Sequence, residues 1–128
     1  MELRNSIKMI LKLRSFHRWA KSEGLTEAAL KKAVNEIAHG LVEGDLGGGL
    51  FKKRVAREGQ GKRGGFRTML AFRRNNRAIF ILGYPKNERD NIGDDELAVL
   101  KKLAKELLSA TESEIQKRIE TGELIEVN

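Results

Sequence analysis

"LFKKRVAREGQGKRGGFRTMLAFRRNNRAIFILGY", residues 50–84, decides the fold. Its first eight residues alternate. Leu50, Lys52, Arg54 and Ala56 share one face, and Phe51, Lys53, Val55 and Arg57 the other. Residues 66–73 alternate again, with Arg67, Met69 and Ala71 opposite Phe66, Thr68, Leu70 and Phe72. Period two is the signature of strands. Residues 78–84, "AIFILGY", are apolar throughout, as in a central strand covered on both faces. A glycine-rich loop joins the first pair, and "RNN" at 74–76 makes a tight turn in which Asn tolerates positive φ. The reading is a three-stranded antiparallel meander.

Outward from the meander, helices are expected on both sides. "IKMILKLR", residues 7–14, alternates as a half-buried strand, with Lys8, Lys12 and Arg14 on its polar face. Ser15 is placed to cap a short helix over 16–23 that Gly24 ends. Phe16, Trp19 and Ala20 lie on one side of it. Thr26 caps a second helix, about 27–39, with Leu30, Val34 and Ile37 at helical spacing and Gly40 as terminator. "EGDLGGG", 43–49, reads as a flexible turn. After the meander comes the polar connection 85–93. A helix then starts near Gly93 or Asp94, with acids in its first turn and a stripe of Leu97, Leu100, Leu103, Ala104 and Leu107. "TESE", 111–114, is a capping box opening one more short helix. The fold class is a small single-domain α/β (α+β) protein, its order strand, two helices, three strands, helix. Residues 1–110 are read as the main domain and 111–128 as a short acidic helical extension of it.

Composition narrows the function. The 128 residues carry 25 Lys or Arg against 18 Asp or Glu, for a net charge of +7. Residues 50–77 alone hold ten cations and one acid, Glu58, so that segment is +9 and the remainder −2. Such concentration is a field aimed at something anionic, with nucleic acid ahead of an acidic protein or a membrane surface. The absence of cysteine excludes a disulfide framework, a thiol nucleophile and a Cys-ligated metal. No apolar run approaches the roughly 18 residues that span a membrane, and the first residues lack a signal-peptide pattern, so a cytoplasmic protein is expected.

The loop "GQGKRGGFR", 59–67, is not a nucleotide-binding glycine loop. It lacks the G-x-x-x-x-G-K-[ST] spacing, and it joins two strands. Together with "YPKNE", 84–88, after the central strand, it resembles the toxins of type II toxin–antitoxin modules, the RelE/ParE superfamily. It is most similar to HigB-like members, which carry a GK-[basic or small]-GG-[aromatic]-R loop and a KNE motif. The resemblance covers about residues 7–108 and is densest over 50–97.

This resemblance implies a RelE-like fold and a metal-independent mRNA endoribonuclease with no cofactor, in many relatives acting on the translating ribosome. The RNA 2′-hydroxyl attacks the adjacent phosphate, leaving a 2′,3′-cyclic phosphate. It also implies a cognate antitoxin, usually with a helix-turn-helix domain. Some ribosome-dependent relatives carry a tyrosine in the final helical segment; residues 89–128 here have none, nor any His, Phe or Trp.

The residues fit that chemistry without histidine, since His17 and His39 lie far from the basic segment. Like charge nearby disfavours a protonated ammonium, which makes Lys52, Lys53 and Lys86 candidates for proton exchange. Arginine stays charged and its planar fork matches phosphate oxygens. The expected catalytic set is therefore Lys52, Arg54, Arg67, Lys86 and Glu88, with Arg67 stabilising the phosphate and Lys86 as acid or base. Glu88 orients a cation or serves as base. Lys62 and Arg63 are expected to contact RNA phosphates. Lys53 and Arg57, on the opposite strand face, are expected to be solvated contacts to RNA or antitoxin. Tyr84 is either a base-stacking aromatic or the last core residue of its strand. Arg73, Arg74 and Arg77 read as surface cations. Two other functions stay open: a ParE-like inhibitor of DNA gyrase on the same fold, and a non-catalytic RNA- or ribosome-binding module.

Overall fold

The computed structural model describes residue 7 and residues 9–56, 65–85 and 92–128. Strand β1 (Met9–Leu13) runs directly into helix α1 (Arg14–Glu23), followed by α2 (Glu27–Ala38). Strands β2 (Gly44–Gly47), β3 (Leu50–Val55), β4 (Phe66–Phe72) and β5 (Arg77–Pro85) come next. Helices α3 (Asp94–Ser109) and α4 (Glu112–Glu120) and strand β6 (Leu124–Glu126) complete the described elements.

The expected meander is present. β3, β4 and β5 are antiparallel neighbours in a sheet ordered β2-β3-β4-β5-β1-β6. β1 joins β5 in parallel, Ile10 opposite Ala78, and β6 pairs antiparallel with β1. Helices α1 and α2 cover one face, where Phe16, Leu30, Val34, Phe66, Leu70 and Phe80 form the core. Helices α3 and α4 cover the other, over Leu11, Leu50, Met69, Ala71 and Ile79.

An aromatic chain ties α1 to the sheet. Phe16 stacks on Phe80 with centroids 5.2 Å apart, and Trp19 meets Phe66 edge-on at 5.3 Å. Trp19 fills the space over Gly83, where a Cβ would lie 2.2 Å from the indole. The strand therefore needs glycine there because another ring occupies the side-chain volume.

Several local expectations are corrected by tertiary contacts. Residues 43–49 are not simply a turn: β2 pairs with β3, Gly44 opposite Lys52, and only Gly47–Gly49 make the bend, all at positive φ. Four residues with two glycines give no periodic signal, yet the ladder completes the β3 edge. β6 is likewise too short to announce itself. Ser15 does not cap α1. The helix begins at Arg14, and the Arg14 N–H donates to the Glu123 carbonyl at 3.0 Å, so backbone near the C-terminus takes the helix-end donor. Lys12 is buried, because β1 lies inside the sheet, and its Nζ donates to Glu27 Oε2 at 2.8 Å. Arg77 is not a surface cation. It is 4% exposed, and its Nη1 donates to the Leu107 and Leu108 carbonyls, where a cation complements the C-terminal end of α3. Both predicted threonine caps form, Thr26 accepting from Ala29 N–H and Thr111 in a full capping box with Glu114.

Two predictions follow from this packing. Gly83→Ala should destabilise the protein by about 1–3 kcal/mol through overpacking against Trp19, read as a lower urea midpoint at unchanged slope. Acidification should destabilise it in two stages. Burial, then the Lys12 and Lys21 charges, holds His17 below its ordinary 6.5. The Lys12 hydrogen bond, followed by lesser causes, holds Glu27 below its ordinary 4.5. Both groups resist protonation when folded, so stability present above those values is lost as pH falls below them. Urea midpoints measured from about pH 7.5 to about 3 should hold level above 6.5, fall below it, and fall again below 4.5, and His17→Gln should remove the upper stage only.

Candidate active site

Strand alternation places the cations. On β3, Lys53 and Val55 face α2, while Lys52 and Arg54 take the α3 side with Leu50. On β4, Arg67 shares that side with Met69 and Ala71. The register sets Arg54 directly opposite Arg67, and Arg67 directly opposite Tyr84. Lys52 lies one row further along, opposite Met69.

Tyr84 reaches this row because β5 carries a bulge. Met69 pairs with Leu82 and Leu70 with Phe80, so Ile81 is the extra residue. Without it, Tyr84 would share the α1 face with Phe80; with it, Gly83 turns to Trp19 and Tyr84 turns to the Arg67 side. Tyr84 is 4% exposed. Its ring is packed, as the core residue at the end of a strand would be.

Helix α3 decides how much of this face is open. Its C-terminal carbonyls are held by Arg77 and Asn75 at the start of β5. Its buried residues Leu100, Ala104, Leu107 and Leu108 cover the Leu50, Met69, Ala71 and Ile79 part of the sheet. Its first turn carries Asp94, Asp95 and Glu96. The Arg54–Arg67 row lies beyond the covered apolar patch, and Lys52, Arg54 and Arg67 are each half-buried.

Two like charges set opposite one another on adjacent strands are unfavourable by up to about 1 kcal/mol. Here no carboxylate relieves them: among the described residues, neither Lys52, Arg54 nor Arg67 forms an ion pair. The Nε atoms of Arg54 and Arg67 are buried with no hydrogen-bond partner among the described residues. Buried donors of this kind are ordinarily satisfied. The arrangement sets two guanidinium groups with unpartnered Nε donors, among the described residues, opposite one another, suited to an anion that accepts from both. Among the described residues there is no cluster of His, Asp or Glu suited to holding a metal.

Lys53 does not belong to this set. It is 0% exposed, and its Nζ donates to Glu36 Oε1 at 2.8 Å and to the Leu41 carbonyl at 2.9 Å. The expectation of a solvated RNA or antitoxin contact is corrected: the residue supports β3 from beneath. A lysine on an alternating strand gives no sequence signal of its distant glutamate partner. Arg57, Lys62, Arg63, Lys86 and Glu88 lie outside the described residues. His17 sits on α1, across the sheet from the cationic row, and His39 follows α2, its Nδ1 2.8 Å from the Asn35 carbonyl.

The family model for the RelE toxin of the RelE/RelB toxin–antitoxin system matches residues 8–127. The chain belongs to the RelE toxin family. No curated protein matches it. The match takes in β1, the cationic row and the C-terminal α4 and β6 alike. No described helix is long and apolar enough to cross a membrane.

If the pair is kept against its own repulsion, removing one charge should not harm the fold. Arg67→Gln should leave stability unchanged or raise it by up to about 1 kcal/mol. Thermal unfolding in low salt should show this, with the difference shrinking as salt screens the repulsion.

Proposed function

We propose that this toxin is a metal-independent, cofactor-free endoribonuclease acting on mRNA, with the translating ribosome as its working context. The observation that carries the reading is the Arg54–Arg67 pair, two opposed guanidinium groups whose buried Nε donors have no partner among the described residues. RNA cleavage by its own 2′-hydroxyl develops negative charge at a pentacoordinate phosphate. Preorganised cationic donors stabilise that charge without reorganising at the moment of reaction. In this reading Arg67 and Arg54 bind the non-bridging oxygens of the scissile phosphate, and Lys52, one row away, contacts the neighbouring phosphate or a proton in transfer. Lys86 and Glu88 remain the proposed proton-transfer pair, on the strength of the motif "KNE" alone. Lys62, Arg63 and Arg57 would bind the flanking RNA backbone or ribosomal RNA. The +9 charge of residues 50–77 supports a polyanionic substrate. The cognate antitoxin is proposed to carry a helix-turn-helix domain, as in HigB-like modules, and to neutralise the toxin in the cytoplasm.

The test is mapping of RNA 5′ ends after expression of the toxin. Wild type should produce discrete cuts within translated messages, with 2′,3′-cyclic phosphate and 5′-hydroxyl ends. Arg67→Ala should reduce cutting by about 10²-fold or more, as loss of a transition-state donor does. An intact transcriptome with stalled replication would overturn the reading in favour of a gyrase inhibitor. Equal growth arrest by wild type and Arg67→Ala, without cuts, would favour a non-catalytic ribosome-binding module.

A further inference from the structure

β2 ends too early to hold the residue that matters most on β3. Its last residue on that side, Gly44, pairs with Lys52. Backbone groups of alternate strand residues point the same way, so the N–H of Arg54, two residues on, also points toward β2. No strand residue stands there to accept it. A lone backbone donor at the edge of a site is free to fray, and fraying there would move Arg54 relative to Arg67.

Glu43 fills the gap. Its own N–H donates to the Lys52 carbonyl at 3.2 Å, which continues the β2–β3 ladder by one bond. Its carboxylate Oε1 then accepts the Arg54 N–H at 2.6 Å. The side chain thus supplies the acceptor that the next backbone carbonyl of a longer β2 would have supplied. A bond to a carboxylate is shorter and stronger than one to a carbonyl. The same oxygen lies 3.9 Å from the buried Lys53 Nζ, which Glu36 and the Leu41 carbonyl also hold. On the other side, Thr68 Oγ1 donates to the Lys53 carbonyl at 2.9 Å. The segment Lys52–Arg54 is therefore bonded from both flanks and from beneath.

We infer that Glu43 is a positioning residue for the Arg54–Arg67 site, extending the β3 ladder by side chain so that two repelling arginines stay in register. This rests on the ribonuclease reading for its catalytic consequence, though not for its structural one. Glu43 touches no RNA in this role. It acts on the backbone of Arg54, so it should affect the chemical step and not substrate capture.

The experiment compares full-length wild type, Glu43→Ala and Glu43→Gln. Amide hydrogen exchange and RNA cleavage kinetics are both measured. Glu43→Ala should speed exchange of the Arg54 amide at least about tenfold while leaving Phe80 protected. It should lower kcat about tenfold with KM within about twofold, the pattern of a misplaced transition-state contact. Glu43→Gln keeps an oxygen acceptor and should recover kcat to within about threefold of wild type. Unchanged Arg54 exchange in Glu43→Ala overturns the inference. So does a loss that Gln fails to recover, or one that appears in KM alone. A wild-type protein that cuts no RNA under any condition overturns the ribonuclease reading only. The Arg54 exchange rate then still decides whether Glu43 holds the strand.

Discussion

The buried ammonium of Lys53 fixes the orientation of the strand that carries the site. A charge held at zero exposure costs several kcal/mol unless it is paired and hydrogen-bonded, and here Glu36 and the Leu41 carbonyl supply both. Because side chains alternate across a strand, one residue of slippage in β3 would exchange the faces completely. Lys52 and Arg54 would then lie beneath α2, and Lys53 would lose its partners. The ion pair on one face of the sheet thereby dictates which cations appear on the other.

The second constraint is the reach of α3. Arg77 and Asn75 grip its C-terminal carbonyls near the β4–β5 turn, so the sixteen-residue helix is anchored at that end of the sheet. Its apolar stripe covers the residues that need burial, and the Arg54–Arg67 row lies past them. The bulge at Ile81 completes the division. It turns Gly83 toward Trp19, which needs that space, and Tyr84 toward the arginines. One irregularity in β5 therefore sets both the aromatic core and the side chain opposite Arg67.

Much of the fold was legible locally. The meander showed as period two interrupted by turn residues. Thr26 and Thr111 capped the helices they preceded, because capping uses groups three residues apart. What the residues did not reveal were contacts between distant segments. Lys12, Lys53 and Arg77 looked like solvated cations, and each is buried against a partner far along the chain: Glu27, Glu36, and the end of α3. Ser15 looked like a cap, and backbone from Glu123 took that place. β2 and β6 were too short, and β2 too rich in glycine, to show a pattern; they exist because β3 and β1 offered edges to pair with.

The sequence by itself determined that a basic, cysteine-free chain would build an antiparallel meander, with Lys52 and Arg54 sharing a face of its first strand. Alternation along a single strand is a local property, and charge is a sum over residues. Only the tertiary structure decided that Arg54 and Arg67 stand face to face, that Tyr84 is packed beside them, and that Lys53 is withdrawn beneath. Register between strands, a bulge, and a buried ion pair each depend on energies shared by segments that the sequence does not set side by side.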